Sequence, residues 1–236
     1  MAKPPPVQFK NHILAALPNR DYQDLLDQLE PVELPHGQVL YEIGDTIEYL
    51  YFPFSAMISL VTQMKDGKIV EVGLIGSDGM SGTSALMGRK ESFERALIQI
   101  PNGGVRVKLS VVKKEFDKGG RLQQLVLGYM SDLMRQVSQT AACNASHTTE
   151  ERLARWLLMC RDRVNSPKLN LTQEFLAEML GTRRATVSVA AITLQSASLI
   201  QYSRGQIAIT DNEGLEAFSC ECYGTLRDAT IDGKPH

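Results

Sequence analysis

Four side chains able to hydrogen-bond a base edge or a phosphate, Arg183, Arg184, Thr186 and Ser188, fall within six residues of one another. An arginine fork presents paired N–H donors that match guanine O6 and N7, and a hydroxyl can donate or accept. Arg204 stands beside Gly205 between two short apolar runs, placed to touch a phosphate, and Thr172 opens another apolar run. Together these residues offer recognition chemistry rather than bond breaking. Catalytic sets are missing: His36 is the sole histidine in the strand-rich region, too few for a metal enzyme of the β-roll type. No Ser/His/Asp set stands out, and Gly76–Gly82 lies among strands rather than before a helix. An enzyme is therefore not expected.

Two short helices and a hairpin must position these donors. Thr172 caps a first helix whose apolar positions are Phe175, Leu176, Met179 and Leu180, with Gly181 at its C-terminal end. Thr182 is expected to cap a second helix from about Arg183 to Ser196, whose buried face carries Val187, Ala190, Ala191 and Leu194. Arg183, Arg184, Thr186 and Ser188 then occupy the N-terminal end, the part of a recognition helix that meets base edges. Leu199–Tyr202 and Gln206–Ile209 read as two strands around Ser203-Arg204-Gly205. Helix, turn, helix and hairpin in that order is the sequence shape of a winged helix-turn-helix.

The rest of the chain has a different texture. Residues 11–30 read as helix interrupted by Pro18. From Val32 to Val107, short runs such as Met57–Val61, Ile69–Ile75 and Ala96–Ile100 alternate with turns such as Asp66-Gly67. Many short strands imply a β-roll or jelly-roll. A short helix ending at Gly119-Gly120 precedes a long one from about Arg121 to Ser146. One of its faces, with Leu122, Leu125, Tyr129, Gln136, Thr140 and Cys143, resembles a coiled-coil seam and is expected to pair two chains. Thr148–Val164 is a further helix. The predicted fold is thus α+β: a cupin-like β-roll over residues 1–120, a dimerisation helix over 121–147, and a winged helix-turn-helix over 148–236.

Composition sets bounds. The 236 residues carry a net charge of −2, and 43% are hydrophobic, as in ordinary globular chains. From Glu150 onward ten lysines and arginines face eleven acids, so nucleic-acid affinity must come from a local patch and from pairing of chains. No run of apolar residues is long enough for a membrane span and no secretory leader is evident, so a cytoplasmic, non-membrane protein is expected. Met1–Pro6 and Thr225–His236 read as mobile ends. Cys143, Cys160, Cys220 and Cys222 show neither a CxxC pair nor a metal-finger spacing, so they are expected to be structural thiols with no metal.

The order of elements, the roll segment Gly73-Leu74-Ile75-Gly76-Ser77-Asp78-Gly79-Met80-Ser81-Gly82, the helix Glu151–Leu157 and the run Leu176–Ser188 resemble the CRP/FNR family of bacterial transcription regulators over about residues 10–222. The resemblance implies homodimers that bind two-fold symmetric, palindromic double-stranded DNA and activate or repress transcription, with RNA polymerase a candidate partner. It also implies recognition helices about 34 Å apart and signalling through a hinge at Asn144–Thr149. Departures matter. Cyclic-AMP-binding members use a Gly-Glu pair and an Arg-Ser-Ala triad, where this chain has Gly79-Met80 and Glu94-Arg95-Ala96. Methionine cannot accept a ribose hydroxyl, and Glu94 would repel a phosphate. Gly79, Met80, Ser81, Glu94 and Arg95 mark the candidate effector pocket, but the effector is expected to be something other than cyclic AMP, or none. A cross-strand salt bridge is the expected use of Arg95. No cysteine precedes Cys143, which excludes the N-terminal iron–sulfur pattern; His12, His36 and His147 are read as ordinary capping, surface or hinge residues. Relatives carry Arg-Glu-Thr-Val-Ser/Gly-Arg in the recognition helix where this chain has Arg184-Ala185-Thr186-Val187-Ser188-Val189, so its half-site is expected to differ. The alternative is a scaffold or ligand-binding protein whose near-neutral winged domain docks protein rather than DNA.

Overall fold

The computed structural model describes residues 11–227. Helices α1 (His12–Ala15) and α2 (Asn19–Leu26) lead into β1 (Glu30–Leu34), β2 (Val39–Tyr41), β3 (Tyr49–Pro53), β4 (Met57–Gln63) and β5 (Ile69–Ile75). Helix α3 (Thr83–Leu86) precedes β6 (Arg95–Ile100) and β7 (Asn102–Lys108). Then come α4 (Leu109–Phe116), α5 (Arg121–Ser146), α6 (Thr149–Val164), β8 (Lys168–Asn170), α7 (Gln173–Met179), α8 (Arg184–Ser196), β9 (Ile200–Ser203), β10 (Gln206–Ile209), α9 (Asn212–Phe218) and α10 (Cys222–Arg227). The proline-rich start lies outside the described residues. Of the tail expected to be mobile, Thr225–Arg227 instead complete α10, and the remainder lies outside the described residues.

The roll is built from two antiparallel sheets, ordered β1-β7-β3 and β2-β6-β4-β5. Asp66-Gly67 turns β4 into β5 with Gly67 at φ +86°, where a side chain would be strained. Strand β4 is buried from Met57 to Val61 because both of its faces are covered. Ile58 and Leu60 join the roll core with Ile75, Leu50 and Phe52. Met57 and Val61 look the other way and join Leu74, Leu153, Trp156 and Leu157 in a second core shared with the C-terminal helices.

A bulge decides one position of consequence. Ser59 faces Leu74 and Val61 faces Glu71, so β5 fits one extra residue between its partners. The insertion turns Glu71 toward the second core instead of the roll interior. There Glu71 is buried, accepting from the Ser59 hydroxyl at 2.6 Å and from Trp156 Nε1 at 2.7 Å. This bond ties the roll to α6.

Helix α5 departs from the expectation drawn from its sequence. Leu122, Leu125 and Tyr129 are buried in the roll core of the same chain. Gln136 accepts from Leu74 N at 2.6 Å and donates to Leu74 O at 3.2 Å, extending the edge of β5. Cys143 is buried against Cys220, and Thr140 lies half-buried beside Arg155. The face Leu122–Cys143 is therefore consumed inside the protomer and is not free to pair with a second chain. The sequence period identifies a buried face without saying what buries it.

Burial pushes the Glu71 carboxyl up to about 7 from its ordinary 4.5. Between these values the folded chain holds a proton that the unfolded chain has lost, so Glu71 makes stability fall as pH rises through that window and level off above it. Glu94, also raised to about 7 by burial, contributes in the same direction. Glu71→Gln keeps an acceptor for Trp156 and removes its share of the slope, on the order of 3 kcal/mol at most. Denaturation midpoints across pH 4.5–8 check this, and an unchanged slope would contradict it.

Candidate nucleic-acid interface

The helix-turn-helix is assembled by local hydrogen bonds. Thr172 caps α7, its Oγ1 accepting from Phe175 N at 3.2 Å. At the other end Gly181 N donates to Glu178 O and Thr182 N to Ala177 O, with Gly181 at φ +60°. That pair of bonds is a Schellman closure in which Thr182 is the second residue past the cap. Thr182 is thereby committed to ending α7 and does not cap α8, correcting the sequence expectation. Arg183 is the N-cap of α8, without a side-chain bond. Val187, Ala190, Ala191 and Leu194 are buried, as their spacing predicts.

Arg183, Arg184 and Thr186 are exposed at the start of α8. Arg184 lies 3.6 Å from Glu174, with both side chains largely open to solvent, a pairing of little energetic weight. Ser188 differs: it is half-buried and its hydroxyl points at Gln173 Oε1 (2.8 Å) and the Arg184 carbonyl (3.0 Å). It braces the two helices rather than projecting outward. Ala185, Val189 and Ile192 form an exposed apolar stripe along α8, with Val189 59% and Ile192 63% exposed.

The wing has three strands, ordered β8-β10-β9; the short β8 carries too few residues for its alternation to be read. Leu171 N donates to Gly205 O at 2.8 Å, and a Cβ on Gly205 would touch Thr172. The wing tip, with exposed Arg204 at φ +48°, is thus held beside the start of α7. Tyr202 N donates to Gln195 Oε1 at 2.8 Å, tying the wing to α8. Gln173 and Gln195 were missed from sequence because a lone glutamine carries no periodic signal.

The residues marked for an effector sit elsewhere, in the wall of the roll. Met80 and Ser81 are fully buried, and Ser81 exchanges bonds with Tyr51 (Ser81 N to Tyr51 O, 2.9 Å; Tyr51 N to Ser81 Oγ, 3.3 Å). The Tyr129 ring lies where a Cβ on Gly79 would be, so only glycine fits there. Arg95 pairs with Glu42 at 3.2 Å, the salt bridge its position suggested. A cleft of about 600 Å³ opens among α1, α5, α6 and α10, where Arg163 bridges to Asp78 at 3.0 Å beside Asp162 and Tyr223.

Fold and site define a class: a β-roll protein with a C-terminal winged helix-turn-helix. The comparisons agree. Residues 151–218 match the family model of the Crp-like helix-turn-helix domain. The chain is 21% identical over 200 residues to a "CRP-like cAMP-activated global transcriptional regulator" of Mycobacterium tuberculosis, covering 81% of this chain and 88% of that protein. It is 24% identical to the "Global nitrogen regulator" of Synechococcus elongatus, covering 77% of this chain and 85% of that one. The structure of FixK2 from Bradyrhizobium japonicum superimposes with a TM-score of 0.68 at 16% identity, covering 81% of this chain and 98% of that one. Residues 151–218 thus form a Crp-like helix-turn-helix domain, and over most of its length the chain is similar to CRP-type transcription regulators. Among the described residues no helix is long and apolar enough to cross a membrane.

Replacing Thr172 by alanine removes the α7 cap next to the wing and is expected to cost about 1 kcal/mol. A shift of the denaturant midpoint at unchanged slope is the expected result, and no shift would show that the cap contributes nothing.

Proposed function

We propose that the protein is a homodimeric, sequence-specific regulator that reads a palindromic site with Arg183, Arg184 and Thr186, while Arg204 and Thr172 hold the DNA backbone. The observation that carries this is the exposed cluster at the start of α8, with the wing tip held beside α7. Arg184 suits a bidentate contact to guanine, worth about 1–3 kcal/mol of discrimination. Ala185 and Val189 offer only methyl contacts, which suit thymine. Ser188 acts through Gln173 as a brace in this reading.

The dimer uses the outward face of α5. Gln124, Leu127, Ser131, Met134, Ser138, Ala141 and Ala145 are all exposed and alternate at three and four residues, the a/d spacing of a coiled coil. Leu127 is 48% and Met134 72% exposed, and the small residues between them let two helices approach. Pairing there sets the recognition helices about one DNA turn apart, roughly 34 Å. Met80 and the Arg95–Glu42 pair leave cyclic AMP without its ribose and phosphate partners, so we assign another small effector or none. RNA polymerase and a cytoplasmic location follow from the same reading. The exposed Val189 and Ile192 favour a second reading, in which the winged domain docks protein.

Selection of random duplexes with the ligand-free protein is expected to enrich a palindrome. Binding that falls steeply with salt supports the DNA reading, and a flat salt response of a folded dimer supports docking to protein. Arg184→Ala is expected to relax the guanine preference, and Arg204→Ala to lower the salt slope by about 1 without changing sequence preference. Met134→Glu is expected to give folded monomers in sedimentation; a dimer that survives it would displace the seam. Calorimetry with cyclic AMP is expected to show no micromolar binding.

A further inference from the structure

Three of the four cysteines meet at the end of α5. Cys143 and His147 lie one helical turn apart, at the last turn and C-cap of α5, and face Cys220 and Cys222 from the junction of α9 with α10. The four ligand-type atoms all lie within 4.8 Å of one another. Cys143 Sγ is 3.5 Å from Cys220 Sγ, and Cys222 Sγ is 3.6 Å from His147 Nδ1. The three thiols are buried and carry no disulfide. We propose that Cys143, His147, Cys220 and Cys222 form a tetrahedral Cys3His site for Zn²⁺.

The geometry matches the ion. Metal–sulfur bonds of about 2.3 Å at tetrahedral angles place sulfur atoms about 3.8 Å apart, with nitrogen slightly closer. Ligand atoms gathered this tightly suit one ion, not a cluster whose thiolates attach to several irons. Three thiolates and an imidazole favour a soft, tetrahedral divalent ion over the hard cations that take oxygen ligands.

The surroundings complete the site. His147 Nε2 lies 3.2 Å from Glu221 Oε2, which directs Nδ1 toward the thiols, the carboxylate–histidine–metal relay common around zinc. Gln139 Nε2 donates to Cys222 Sγ at 3.0 Å. Arg152 and Arg155 act electrostatically on Cys143 and offset the net negative charge of three thiolates and one divalent ion. A structural zinc at this point would fasten the end of α5 to the segment after α9, across the hinge between the long helix and the reading domain.

The test uses reduced, full-length protein stripped with chelator and titrated with Co²⁺, then Zn²⁺. One ion per chain is expected. The cobalt form should show the strong visible bands and thiolate charge-transfer absorption of a tetrahedral centre, both abolished by Zn²⁺. Cys222→Ser should lower the affinity at least tenfold. Glu221→Gln changes an exposed side chain, so the fold should survive, and should lower affinity on the order of 10- to 100-fold. A folded, reduced protein that retains no ion would overturn the proposal. So would a weakly absorbing six-coordinate cobalt spectrum, or affinity unchanged in both variants.

Discussion

The relation between roll and winged domain depends on one buried carboxyl group, that of Glu71. Glu71 sits on a strand whose outer face would be solvent-exposed if the roll stood alone. Instead it accepts the indole N–H of Trp156, with Ser59 beside it. A buried polar group must find partners or forfeit its place, so the position of α6 on the sheet is specified to within a hydrogen bond. Met57, Val61 and Leu74 around it supply apolar contact that is not directional in itself. The bulge in β5 makes this possible, since regular alternation would turn Glu71 into the roll.

With α6 fixed on β4 and β5, α5 is fixed as well. Its inner face fills the roll core through Leu122, Leu125 and Tyr129, then passes along the sheet edge through Gln136, and ends against the C-terminal segment at Cys143. Each third of the helix thus has a different intrachain partner. What remains outward is a mixed face in which Leu127 and Met134 stand exposed among small and polar residues.

In the reading domain the division of labour is local. Caps and closures, Thr172 at the start of α7 and Gly181-Thr182 at its end, set the turn angle, while the glutamines Gln173 and Gln195 lock α7 to α8 and α8 to the wing. The outward surface is then left to a few cations and an apolar stripe. Such a surface is distinguished by the placement of its cations rather than by bulk charge, in keeping with a chain whose net charge is −2.

Much of this was legible in the sequence, because the signals are short-range. Helical spacing gave α5, α6, α7 and α8 nearly to the residue, turn residues marked the strands of the roll, and the order of elements carried the resemblance to CRP-type regulators. Other features depend on residues far apart in the chain. Periodicity showed that the face Leu122–Cys143 is buried, but only packing decided that the same chain buries it. Thr182 has the chemistry of a cap, but hydrogen bonds back to α7 decided otherwise. Cys143 and Cys220 have no telling spacing because they are 77 residues apart, and the docking of α10 on α5 brings them together. The sequence by itself determined the elements and the identity of the exposed donors, which rest on neighbours along the chain. The tertiary structure alone decided which surfaces are spent inside the protomer and which side chains converge, because burial and convergence are set by contacts between distant segments.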